Sequence, residues 1–156
     1  MRIALLTLIT AMLAGCNANP HAVAMPEQNT VGPRDGLSLT VGVPKRLFAV
    51  GERFTAAIDA TNNGGKPVTF NAGGARAYIV LQRNTDAGWT EIRRYPRSVV
   101  GVQNPWTLKT GWTETFTVAL AVEPDWPTAE PLRLAAQLDG GPNLTPGVVI
   151  QVKPGK

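Results

Sequence analysis

Cys16 is the only thiol in the 156-residue chain and His21 its only imidazole. Both fall in a stretch of Asn, Ala and Pro near the N-terminus, so the rest of the sequence holds neither a sulfur nucleophile nor an imidazole base. A Ser or Cys triad with His has no second member there, and zinc or copper sites built from His and Cys clusters have no ligand set. Beyond the leader Met25 stands alone, which removes a methionine-rich copper site as well. Carboxylates remain, at Glu52, Asp59, Asp86, Glu91, Glu114, Glu123, Asp125, Glu130 and Asp139. A pair of them flanking a sugar could hydrolyse a glycoside. They are spread singly over turns and polar strand positions, however, which is the distribution of solvated charge. Glu123 and Asp125 offer oxygen ligands of the kind calcium takes, on a segment that Pro124 and Pro127 hold extended. The expectation is a protein that is not an enzyme, with no catalytic residue, no metal and no cofactor.

Recognition groups are better represented. The chain has four tryptophans, Trp89, Trp106, Trp112 and Trp126. Asn104-Pro105-Trp106 and Asp125-Trp126-Pro127 read as loops, and their indoles are the candidate platforms for sugar rings or partner side chains. Trp89 begins a hairpin strand and Trp112 adjoins a glycine turn; both are expected to be buried against one end of the domain. Arg93, Arg94 and Arg97 surround Tyr95, a basic cluster that could attract anionic head groups or cell-wall polymers. The net charge of +4, or +3 once Arg2 leaves with a leader, is only mildly basic. Without interleaved basic and aromatic platforms, nucleic acid is not an expected partner.

These groups must be carried by a framework, and the N-terminus indicates where it resides. Met1-Arg2 is followed by the apolar run Ile3 to Met12, too short for a comfortable transmembrane helix and typical of a secretory leader. Leu13-Ala14-Gly15-Cys16 resembles the lipoprotein box, in which small residues admit the signal peptidase and the cysteine thiol receives a diacylglyceryl group. The resemblance implies removal of residues 1–15, lipidation of Cys16 and attachment to a membrane outside the cytoplasm. Acyl chains gain about 0.8 kcal/mol per buried methylene, so such an anchor holds essentially permanently. Asn17, in place of the Asp that marks inner-membrane retention, favours the outer membrane if the cell has two. With a single cysteine no internal disulfide forms, and packing alone must hold the domain together.

Residues 16–36, rich in Asn, Pro, Ala, Gln and Gly, read as a flexible tether after the lipidated cysteine. Residues 37–156 read as one domain of short β-rich runs punctuated by Gly, Pro and Asn. Leu37, Leu39, Val41 and Val43 alternate with small or polar residues, as do Phe54, Ala56, Ile58 and Ala60. Asn62 to Pro67 then predicts a tight reversal into Val68-Thr69-Phe70. Ala77 to Arg83 and Trp89 to Ile92 are expected to pair across Asp86-Ala87-Gly88. Tyr95 to Trp106, interrupted by Pro96, Gly101 and Pro105, reads as a crossover. Thr113 to Leu120, Pro131 to Leu138 and Gly147 to Val152 complete seven or eight strands. Turn signals every 8–12 residues or so point to an all-β fold, an immunoglobulin-like antiparallel β-sandwich.

Three blocks, Thr61 to Phe70, Gly88-Trp89, and Thr107 to Gly111 ahead of the strand Thr113 to Phe116, resemble the BsuPI-like domain of bacterial intracellular proteinase inhibitors. The resemblance implies an immunoglobulin-like fold and raises proteinase inhibition, without assigning a reactive loop. Proline is missing ahead of Gly111, and Trp112 stands where the family has a small acidic continuation. The leading expectation is a non-enzymatic envelope lipoprotein that binds a protein partner through loops of the sandwich. The alternatives are a secreted protease inhibitor and a carbohydrate or cell-wall binding module. Candidate binding residues are Trp106, Trp126, Arg93, Arg94 and Tyr95.

Overall fold

Alternation decides the two strands at the centre of one sheet. Leu37, Leu39, Val41 and Val43 are all buried on β2 (Leu37–Val43), and Phe54, Ala56, Ile58 and Ala60 are buried on β4 (Arg53–Asn62). Successive side chains of a strand point to opposite faces, so each run lays one apolar row on a common core. The computed structural model describes residues 25–97, 101, 104–141 and 145–155. Cys16 and His21, and with them the leader and lipidation expectations, lie outside the described residues.

Besides β2 and β4, the strands are β1 (Glu27–Arg34), β3 (Leu47–Ala49), β5 (Val68–Ala72), β6 (Ala77–Thr85), β7 (Gly88–Tyr95), β8 (Asn104–Leu108), β9 (Thr113–Ala121), β10 (Leu132–Leu138) and β11 (Gly147–Lys153). They form a sheet ordered β1-β2-β4-β9, a second ordered β3-β11-β10-β6-β7, and a ribbon β5-β8. Ladders are antiparallel except β3 with β11, where Leu47 pairs in parallel with Gln151. The fold is the expected all-β sandwich, with eleven strands among the described residues in place of seven or eight. Leu39, Ile58, Phe54 and Leu120 of the first sheet and Ile79, Leu81, Leu134 and Ile150 of the second share one buried cluster. Phe48 stacks on Phe54 with ring centroids 4.1 Å apart, joining β3 to the opposite sheet.

Three local expectations change. Residues 27–34, read from sequence as tether, form β1 and pair with β2 from Glu27↔Val43 to Arg34↔Leu37. Most of that strand is exposed, so no apolar period announces it. It is held instead by its ladder, by Thr30 Oγ1 to Thr40 Oγ1 at 2.8 Å and by Asn29 Nδ2 donating to Gly147 O at 3.0 Å. The reversal after β4 does not return β5 onto β4; β5 leaves the sheet and pairs with β8, Phe70 opposite Trp106. Residues 104–106, expected as the end of a crossover, belong to the strand β8 that receives it.

Candidate functional site

The basic cluster of β7 is spoken for. Arg93 makes a bidentate contact with Asp125, at 3.1 and 2.7 Å, and reaches Glu123 Oε2 at 3.0 Å. Tyr95 donates to Glu123 Oε1 at 2.8 Å, Arg97 also binds Glu123, and Trp126 Nε1 donates to Tyr95 Oη at 3.2 Å. Arg94 turns to Glu91 at 3.0 Å and lies over Tyr78, 5.2 Å from its ring centre. Two-toothed guanidinium–carboxylate bonding is the strongest form such a pair takes. The Asp125 carboxyl is accordingly held below the usual carboxylate range, chiefly by its bond to Arg93, and the Arg93 guanidinium is raised by Asp125 in turn. This network pins the 123–127 turn to the edge of the second sheet. The two carboxylates suggested as calcium ligands thus face arginines, and among the described residues no three His, Cys, Asp or Glu come together as a metal site.

The two tryptophans favoured as contact surfaces are buried. Trp106 lies on β8, stacked on Phe70 at 4.1 Å and edge-on to Phe116 at 5.4 Å. Trp126 is in a loop, as expected, yet it is 2% exposed and packs 6.1 Å from Tyr95. Neither indole offers a free face to a sugar ring. Their loop-like sequence context is local, whereas their burial comes from partners far along the chain.

Trp112 is the reverse case. Expected to be covered, it is 58% exposed, the most exposed of the large apolar side chains described. It closes a turn after β8 in which Trp112 N–H donates to Lys109 O at 3.1 Å and Gly111 takes a φ of 74°. Lys109 Nζ stands 4.8 Å from the indole centre. The turn is fixed from beneath by Asn62, the one fully buried polar side chain among the described residues. Its Nδ2 donates to Lys66 O at 2.9 Å and Leu108 O at 3.0 Å, and its Oδ1 accepts from Gly64 N–H at 2.9 Å. Its backbone accepts from Gly111 N–H at 2.7 Å and donates to Trp112 O at 3.0 Å. Asn63 N–H donates to Gly36 O at 2.7 Å, which ties in the β1–β2 turn. That turn needs its glycine: Gly36 has a φ of 81°, and a Cβ there would stand 2.5 Å from Gly64 Cα.

Turns 35–36, 63–66 and 109–112 therefore form one interlocked end of the sandwich. Arg34, Lys66 and Lys109 at this end form no ion pair with any described residue, against a single carboxylate on these turns, Asp35. An exposed indole on these turns, with cations that form no ion pair beside it, presents a partly apolar, mostly basic surface. Sequence contained one signal for it, the departure of Trp112 from the BsuPI-like pattern.

No family model matches the chain, and no curated protein matches it. Among solved structures it is similar to the sporulation control protein Spo0M of Bacillus subtilis, at 13% identity and a TM-score of 0.51. The match covers 76% of this chain and 49% of Spo0M, so the chain spans about half the length of that protein. The alkylpurine DNA glycosylase AlkC of Pseudomonas fluorescens matches at 10% identity and a TM-score of 0.45, over 81% of this chain and 30% of its own. A β-glucosidase of Listeria innocua matches at 12% identity and 0.48, over 75% and 16%. The Spo0M likeness is one of fold alone.

Proposed function

We propose that the chain is a non-enzymatic envelope lipoprotein whose sandwich engages a protein partner through the loop end built around Trp112. The observation that carries this reading is the exposure of that indole on turns locked by a buried asparagine. Aromatic anchors dominate binding energy when a partner covers them, and a rigid anchor loses little entropy in doing so. An accidental exposure of this size on a flexible loop would need no such support; here five hydrogen bonds of Asn62 provide it.

Topology supports the orientation. β1 begins at Glu27 opposite Val43 and ends at Arg34 opposite Leu37, so the chain enters at the end of the sandwich remote from Trp112. A lipid on Cys16 would then attach the domain by its far end and direct the Trp112 turns away from the bilayer. The test is affinity capture from envelope extracts, with the intact protein and a Trp112→Ala variant as baits. The reading predicts a protein retained by the first and lost by the second; equal retention, or none, contradicts it.

A further inference from the structure

Covering Trp112 has a consequence in charge. The indole is 58% exposed and Lys109 Nζ stands 4.8 Å from its ring centre, so a surface laid on the indole must also take that ammonium out of water. A contact with a ring face replaces only part of what hydration gives an ammonium, and a buried charge is costly unless a counter-charge meets it. Among the described residues no carboxylate pairs with Lys109. Glu114, the nearest carboxylate to Trp112 along the chain, is engaged by Arg76 at 3.5 Å. The counter-charge has to come from whatever covers the indole.

The neighbouring turns add to that demand. The β5–β8 ladder starts with Val68 opposite Leu108, which puts the backbones of Lys66 and Lys109 at the same end of the ribbon. Asn62 Nδ2 holds both approaches, donating to Lys66 O at 2.9 Å and Leu108 O at 3.0 Å. Arg34 sits opposite Leu37, which in turn sits opposite Asn62, so a third cation reaches the same end. All three cations are exposed, and Asp35 is the one carboxylate on these turns.

We infer that the segment of the partner that lies on this end is an acidic peptide stretch, with an apolar side chain over Trp112 and flanking carboxylates on Lys109 and Lys66. The inference rests on the reading of the Trp112 end as a protein-binding surface and specifies the chemistry of its partner. A purely apolar surface would strand the Lys109 ammonium, and a basic one would add like charge to it. An acidic stretch answers the indole and the ammonium together. An anionic bilayer is the poorer match, because the chain enters at Glu27, at the other end of the sandwich.

A phage-displayed library of random peptides, panned on the full-length protein, tests this. Selected peptides are then titrated against the parent chain and against Trp112→Ala, Lys109→Gln and Lys109→Arg variants, each checked for folding by circular dichroism. The inference predicts peptides enriched in Asp and Glu around an aromatic or aliphatic residue, with affinity that falls as salt is added. Lys109→Gln weakens their binding about tenfold and Lys109→Arg preserves it; with an apolar partner, Lys109→Gln would leave binding unchanged or tighten it. The composition of the selected peptides is read on the parent chain alone and decides the matter should a variant fail to fold. Neutral or basic peptides that still require Trp112 would overturn the inference and leave the Trp112 reading standing. Acidic peptides that bind Trp112→Ala as well as the parent would overturn both. A library that yields no binder, while the parent shows a Trp112-dependent preference for phosphatidylglycerol over phosphatidylcholine vesicles or no preference at all, would overturn the inference equally.

Discussion

Trp106 and Trp112 are separated by one turn and meet opposite environments. The sequence context of each was misleading for the same reason: proline and glycine neighbours report on backbone bends, not on what lies across the sheet. Trp106 is buried because β5 brings Phe70 against it; Trp112 is exposed because Asn62 holds its turn outward. The Arg93 cluster shows the same blindness, since Glu123 and Asp125 reach it from about thirty positions along the chain. Residue by residue, composition names the side chains that are present, whereas their pairing could not be read from it. The Arg93–Asp125 pair also yields a pH dependence. Asp125 has a lower carboxyl pKa folded than unfolded, so its contribution to stability is complete above the ordinary aspartate range near 4 and is lost as pH falls through the depressed value. Acid titration followed by Trp126 fluorescence should show the 123–127 turn loosening below about pH 4, ahead of global unfolding. An Asp125→Asn variant should lose that step; an unchanged acid profile would contradict the role given to the pair.

At the level of elements, legibility followed burial. β2, β4 and β10 were readable because one face of each is apolar and packed; on β10 Leu132, Leu134, Ala136 and Leu138 are all buried, as their alternation predicts. The β6–β7 hairpin was readable from its Asp-Ala-Gly turn, with Thr85 opposite Gly88 in the ladder. β1 was not, because an exposed edge strand is stabilised by backbone bonds that every sequence can make. The return of β5 was mistaken because a turn signal fixes a reversal without fixing the partner, and β8 was the better one. Single substitutions should separate the two kinds of strand. Leu39→Ala, on the fully buried face of β2, should cost about 2–5 kcal/mol in denaturant unfolding. Thr30→Ala, on exposed β1, should cost no more than about 1 kcal/mol. Comparable losses would mean that β1 is not the marginal edge described.

For the whole molecule, the two ends of the sandwich differ in what they expose. The end that receives the chain joins β1, β3 and β11: Arg46 binds Glu27, and Gln151 N–H donates to Arg46 O at 2.7 Å. Lys45 lies 2.6 Å from Glu52, whose carboxyl is lowered chiefly by that bond, while Arg53 and Lys153 at this end form no ion pair with a described residue. What sets the opposite end apart is an indole in solvent with Lys109 over its ring. The proposed function makes use of that difference: a module tethered at the first end and reading at the second. The most direct test places a photo-crosslinking amino acid at position 112 or at position 153 of the intact protein in living cells. The account predicts a discrete protein adduct from position 112 and none from position 153, which lies beside Ala49 at the entry end. Adducts from both positions alike, or from position 153 only, would contradict it.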